Sequence, residues 1–412
     1  MKPVSMLVQR LLRLREGKAT PMTLLALCPN SEAVLEAAVR VASRNNLPIL
    51  FAATLNQVDR DGGYTSWTPK EFVTRLKRIA RQYKWSGPLI PCLDHGGPWL
   101  KDRHREANFS LEATLREVKK SLRACLLAGY QLLHIDATLD IEKGESQPPP
   151  IGLVVSRTLD LIRFCEAERR RLTLPPVDYE VGTEEVHGGL TDIPTFREFV
   201  NLLRRRLEEE GLLDAWPCFI VGKVGTNLHT TYFDPKMAQQ LFAIVSPLGS
   251  LIKGHYTDWV ENASAYPDSG MGAANVGPEF TSAEFAALAD LCQKELDLER
   301  ARGRIRPSRF MDCLESAVVR SGRWKKWLLP GERGERFQEL RPERRDWLTQ
   351  TGARYVWTDP EVRAARRRLY RNLARAGLDS HEYVIERISQ SIDHYVNSFR
   401  LFDSLSLFKQ SS

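Results

Sequence analysis

The 412-residue chain contains no run of 18 or more apolar residues, so no membrane-spanning helix is expected. The N-terminus, MKPVSMLVQRLLRLREGK, is amphipathic and basic, but it lacks the apolar core and small-residue cleavage site of a signal peptide. Cysteine pairs at metal- or redox-site spacing are missing too. The seven cysteines are an odd number, scattered through apolar segments, which is the pattern of reduced, buried thiols in a cytoplasmic protein. No glycine-rich dinucleotide fingerprint follows the first strand-like run, which argues against a nucleotide-binding open sheet. The first 300 residues also lack an aromatic stacking platform to accompany the net charge of +7. That charge sits in stretches such as NLLRRRLEEE and EVRAARRRLYRNLARAG, where arginine alternates with acids and apolar residues at helical spacing. These read as solvated helix faces, and no nucleic-acid partner is expected.

What is present is a rhythm. Apolar runs TLLALCP (23–29), PILFAAT (48–54), PLIPCLDH (88–95), YQLLHIDAT (130–138), VDYEVGTE (177–184), CFIVGKVG (218–225), SLIKGHYT (250–257) and GAANVGP (272–278) alternate with amphipathic helical segments. Only the seventh run is followed by a short irregular piece. Continuous rather than alternating apolarity says that both faces of each strand are covered, as in a parallel sheet. The helix after the second run opens with Thr68-Pro69-Lys70-Glu71, a capping box with proline at its first position. Eight strand–helix units over about 280 residues predict the α/β class and a (β/α)8 TIM barrel. The N-terminal helix should lie across its bottom. Residues 1–302 are thus read as the barrel with its N-terminal helix, and 303–412 as a helical C-terminal extension that packs on the barrel or on a partner. Trp324, Trp327, Trp347 and Trp357 in that extension read as core or interface anchors.

Barrel enzymes carry their chemistry at the C-terminal ends of the strands. There the sequence places Asp94-His95, His134 with Asp136, Glu180, Glu184, His229, His255-Tyr256-Thr257-Asp258 and Asn275. Five of the eight histidines fall at or just past these ends. His95, His229 and His255, from the third, sixth and seventh strands, converge on one side of the mouth as ligands for a divalent metal, Zn2+ first and Mn2+ or Co2+ as alternatives. His134 and Asp136 alternate on one strand and both could point inward, but no ligand role suggests itself for His134, which is read as structural. Asp94 is the candidate proton-transfer group beside the metal, with Glu184 as a second acid or base.

Further short matches occur in order along the barrel: Asn56-Gln57-Val58 with Gly62-Gly63-Tyr64-Thr65, Leu93-Asp94-His95 with Gly97-Pro98, Gly182-Thr183-Glu184, and Val276-Gly277-Pro278. On these the chain resembles the GatZ/KbaZ-type subunit of class II D-tagatose-1,6-bisphosphate aldolase, and more distantly the catalytic class II aldolases. The resemblance implies that Asp94 acts on a substrate hydroxyl, that His95, His229 and His255 bind zinc, and that Asn275 contacts substrate. Asn56, Gln57, Gly63, Tyr64, Asp136, Thr257 and Asp258 complete the expected substrate-binding set. The chain departs from the catalytic aldolases after His255, where Tyr256-Thr257-Asp258-Trp259 stands in place of a small phosphate-cradling loop. A carboxylate there repels phosphate. The Gly62-Gly63 turn is either a second cradle or an ordinary turn. The expected function is a metal-dependent carbohydrate lyase or epimerase acting on a ketose or ketose phosphate; the alternative is a non-catalytic subunit that stabilises a separate aldolase chain. A sugar or sugar phosphate, a catalytic aldolase subunit and further copies of this chain are the expected partners.

Overall fold

A computed structural model describes residues 2–17, 20–143, 149–182, 190–227, 230–303 and 305–409. Helix α1 (Pro3–Glu16) precedes β1 (Leu24–Leu27), after which strands and helices alternate. The order is α2 (Glu32–Asn45), β2 (Ile49–Thr54), α3 (Pro69–Gln82), β3 (Leu89–Gly96), α4 (Asp102–Glu106), α5 (Leu111–Ala128), β4 (Leu132–Ile135), α6 (Ile151–Arg171), β5 (Asp178–Gly182), α7 (Ile193–Glu209), β6 (Phe219–Val221), α8 (Pro235–Val245), β7 (Leu251–Gly254), β8 (Met271–Val276) and α9 (Pro278–Arg302). The eight strands close in sequence order into a parallel barrel, β8 pairing back onto β1 through Ala26 and Asn275. The strands are buried almost without interruption, as their continuous apolarity requires.

Local signals start the helices. Thr68 and Glu71 form the reciprocal capping box of α3 with Pro69 at its first position, and Ser31, Ser110, Asp192 and Asp234 cap α2, α5, α7 and α8 through their side chains. Helix α1 closes the N-terminal end of the barrel: Asp178, the first residue of β5, accepts from the Val4 and Ser5 amides at 2.8 and 3.0 Å. Arg15 donates to the carbonyl of Met271 at the start of β8.

After α9 the elements among the described residues are all helical: α10 (Phe310–Ser321), α11 (Pro342–Ala353), α12 (Pro360–Ala374), α13 (Ser380–Ser398) and α14 (Ser404–Lys409). They pack on the barrel itself. Helix α13 lies against α2 and α9, with Arg40 pairing Glu382 and Glu386 across the contact. Its Tyr395 hydroxyl donates to the Thr257 carbonyl at 3.0 Å and so reaches the loop after β7. None of the described helices is long and apolar enough to cross a membrane.

Candidate metal centre

Successive side chains of a strand point to opposite faces, so Asp94 and His95 should not both enter the barrel mouth. The structure resolves this with a bulge. Pairing of β3 with β4 runs Cys92 to Leu132 and Leu93 to Leu133, then resumes only at Gly96 with Ile135, which leaves one extra residue in β3. Within the bulge His95 takes a φ of 52°, and its ring is re-aimed toward the same side as Asp94. Gly97 makes the close approach to β4 achievable, because a Cβ there would lie 1.4 Å from the Asp136 carbonyl oxygen.

One carboxylate oxygen of Asp94 and one ring nitrogen each of His95, His134 and His255 all lie within 4.8 Å of one another. Asp94 Oδ1 is 3.4 Å from His134 Nδ1 and 3.9 Å from both His95 Nε2 and His255 Nε2. Asp136 holds His95 from behind, its Oδ2 2.6 Å from Nδ1, while its Oδ1 accepts from the Thr138 amide and hydroxyl. A carboxylate on one ring nitrogen fixes the tautomer and leaves the other nitrogen facing the cluster, the arrangement that orients metal-binding histidines. Deeper in the barrel, Lys253 Nζ donates to Glu180 Oε2 at 2.6 Å, and Glu180 Oε1 lies 2.9 Å from His255 Nε2.

Charge balance is the decisive physical feature. Asp94, Asp136 and Glu180 are three buried carboxylates, and Lys253 is the one buried ammonium among them. With neutral imidazoles the three carboxylates outnumber the ammonium by two, an excess that a low-dielectric interior offsets by protons held on imidazoles or by a bound cation. Burial pushes the Asp94 and Glu180 carboxyls up. Asp94 is nevertheless held well below the usual carboxylate range by His95, His134, His255 and Lys253, and Glu180 is held down to about 2 chiefly by Lys253. Burial disfavours the imidazolium of His95, yet Asp94 and the Asp136 hydrogen bond outweigh it and raise the ring's proton affinity. The carboxylates and His95 thus draw in positive charge. A divalent cation fits both the deficit and the donor set.

Above the cluster opens a cavity of about 700 Å3, bounded on one side by barrel residues and on the other by Arg323, Lys326, Trp327, Trp347, Arg354 and Tyr355 of the helical extension. Trp327 and Trp347 therefore border the pocket, whereas Trp324 and Trp357 are buried anchors.

The predicted site residues separate on this geometry. Asp94, His95 and His255 come together as expected. His134, assigned a structural role from the sequence, belongs to the same cluster. Glu184 and His229 lie outside the described residues. Asn275 lines the pocket, and its buried Oδ1 has no hydrogen-bond partner among the described residues. Tyr64 also lines it, with its hydroxyl on Asn30. Asn56 and Gln57 reach the pocket wall with their amides committed elsewhere: Asn56 to Leu100 and Asp102, Gln57 to Thr54 and Asn30.

Three expected substrate contacts are displaced. Asp136 is used behind His95 and does not line the pocket. Thr257 is fully buried against Tyr266 and Tyr395 and braces its loop. Gly63 sits in an ordinary turn: the amides of Gly62, Gly63, Tyr64 and Thr65 all bond within the loop, to Asp59, Asp61, Asn56 and Gln57, and none is left to cradle an anion. Lys253 was the residue that strand-end reasoning missed, and Glu180, placed at the end of its strand, was given no role. The signal for the Lys253–Glu180 pair was a charged residue at an inward position of an otherwise apolar strand.

Asp258 lines the pocket but spends Oδ1 on the Gly277 and Glu279 amides, at 3.0 and 2.8 Å. It thereby fills the N-terminus of α9, where an anion would otherwise sit. Burial pushes its carboxyl up to about 7 despite those two amides. Between pH 4 and 7 the folded chain holds a proton that the unfolded chain has released, so this group's contribution to stability falls as pH rises through that window. Asp258→Asn is expected to remove the fall. Its denaturation midpoint relative to wild type should improve from pH 5 to pH 8 by the equivalent of up to a few kcal/mol. An unchanged difference across that range would contradict the assignment.

Residues 9–398 match the family described as D-tagatose-1,6-bisphosphate aldolase subunit GatZ/KbaZ-like. The chain belongs to that family. The match runs through α13, so the helical extension is part of the family's own chain. Among solved structures, a probable tagatose 6 phosphate kinase from Sinorhizobium meliloti 1021 aligns with a TM-score of 0.73 at 23% identity, covering 91% of this chain and 100% of its own. A fructose-bisphosphate aldolase from Campylobacter jejuni aligns at 0.54 and 13% identity, covering 93% and 90%. A fructuronate-tagaturonate epimerase from Cohnella laeviribosi aligns at 0.55 and 10% identity, covering 92% and 82%. At these identities the structural neighbours of this GatZ/KbaZ-like chain establish the shared barrel fold.

Proposed function

We propose that this GatZ/KbaZ-like chain is a metal-dependent carbohydrate lyase or epimerase of the class II aldolase type. Its substrate would be a ketose or ketose phosphate such as a tagatose or fructose (bis)phosphate. The observation that carries the reading is the Asp94, His95, His134 and His255 cluster, one carboxylate and three imidazoles brought together at the floor of a sugar-sized cavity. His95, His134 and His255 would hold a divalent cation, with His229 joining from the loop after β6. Imidazole ligands favour Zn2+, with Mn2+ or Co2+ as alternatives. When bound, the ion supplies Lewis acidity toward the substrate's carbonyl and adjacent hydroxyl.

The chain's own groups do the rest. Asp94 stays ionised and takes the proton of the hydroxyl β to the carbonyl. The carbon–carbon bond then breaks, leaving its electron pair on the ketone fragment as an enediolate and an aldehyde on the other. Returning a proton to the enediolate completes aldol cleavage, and removal of a carbon-bound proton by Asp94 with return of a proton to the opposite face gives epimerisation. Glu184 assists this transfer. Asn275 receives a substrate hydroxyl through its unpaired Oδ1, and Glu180 steadies His255. Cytoplasmic residence and self-association accompany this reading.

A second reading rests on the family description, which names a subunit, and on Asp258 standing where a phosphate would bind. In it the chain stabilises a separate catalytic aldolase. Metal-loaded protein assayed alone against ketoses, ketose phosphates and ketonic acids is expected to turn over one of them and to lose that activity on chelation. No turnover alone, together with a stable complex with a class II aldolase chain, would replace the first reading with the second.

A further inference from the structure

The pocket carries a cation that the barrel chemistry does not use. Arg354, near the end of α11, is only 8% exposed, and its guanidinium lies 4.8 Å from the Trp327 ring centroid and 5.1 Å from that of Tyr355. Among the described residues no carboxylate pairs with it, and its Nε has no hydrogen-bond partner. A buried guanidinium without a counter-ion is costly, and flanking rings offset only part of that cost. Two further cations border the same cavity. Arg323 Nη2 donates to Asp102 Oδ2 at 2.5 Å, Lys326 pairs with the same oxygen, and Arg105 takes Asp102 Oδ1 at 2.8 Å. One carboxylate is thus shared by three cations, while Arg354 has no carboxylate at salt-bridge distance and meets Asp258 only at longer range. Of the other two acids on the pocket wall, Asp94 belongs to the histidine cluster, and Asp258 is turned to the α9 amides, so the barrel's own anion position is filled from within.

We propose that Arg354, supported by Arg323 and Lys326, is the binding site for the anionic terminus, phosphate or carboxylate, of an open-chain sugar. The fork of a guanidinium matches either anion bidentately. Placing the sugar's carbonyl end at the Asp94 and histidine cluster rests on the function proposed above; the anion site itself does not. The helical extension is then a working wall of the pocket, supplying the charge that the loop after β7 withholds.

The test is calorimetric titration of the full-length protein, its metal content measured alongside, with inorganic phosphate, with a six-carbon sugar acid and with neutral tagatose. Wild type is expected to bind one of the two anions more tightly than tagatose, and the tighter one identifies the terminus. Arg354→Gln should weaken that binding at least tenfold and leave metal content unchanged, with Arg354→Lys falling between. Should Arg354→Gln not fold, Lys326→Gln at the rim carries the same comparison with an expected loss of about threefold. Anion binding unaffected by these changes, or wild type that binds neither anion, overturns the proposal. Protein without metal whose anion binding still depends on Arg354 would remove the function proposed for the cluster and leave the subsite standing.

Discussion

Asp94→Asn in the metal-loaded protein is expected to lower turnover of the sugar substrate by roughly a hundred- to ten-thousand-fold, the range that a positioned proton-transfer group contributes. The substitution preserves shape and one side-chain oxygen, and it removes the one carboxylate shared among His95, His134 and His255. Its ionised state is secured by the surrounding imidazoles and Lys253, which outweigh burial, so the lost property is basicity and not charge balance alone. KM should change far less than kcat, because pocket contacts made by Asn275 and Arg354 are untouched. Full turnover with metal still bound would show that Asp94 is not the base.

Lys253→Met is the second large effect. Lys253 and Glu180 are 1% and 0% exposed, and among the described residues the ammonium is the one lysine buried with the three carboxylates. Removing it leaves Glu180 charged and uncompensated, a change that costs roughly 3–5 kcal/mol. The denaturant midpoint should fall accordingly. Adding Glu180→Gln neutralises the orphaned charge while retaining a hydrogen-bonding side chain for His255, so the double variant is expected to recover most of the loss. Equal destabilisation in single and double variants would mean that the pair is not the source.

The barrel was legible because its signal is redundant: eight continuous apolar runs, each followed by turn chemistry, leave few other folds. Asp94, His95 and His255 were legible because polar residues closing buried strands are rare. His134 was not, since its place in the cluster depends on the one-residue bulge that brings His95 beside it, and a positive φ at a histidine leaves no mark in the sequence. Asp136 and Thr257 were placed at the correct strand ends, yet pattern alone does not tell a residue that faces substrate from one that holds its neighbour. Helical periodicity announced the extension, but where it docks depends on contacts between residues far apart in sequence, such as Tyr395 with Thr257, 138 positions apart. Its contribution of Arg354 to the pocket was therefore hidden.

Metal content measured by mass spectrometry on purified protein tests the central claim most directly, with a His95→Ala and His255→Ala double variant alongside. The account predicts about one divalent ion per wild-type chain and almost none in a variant that remains folded, as expected for a site built from imidazoles. Folded wild type that carries no metal and takes up none from added zinc would contradict it.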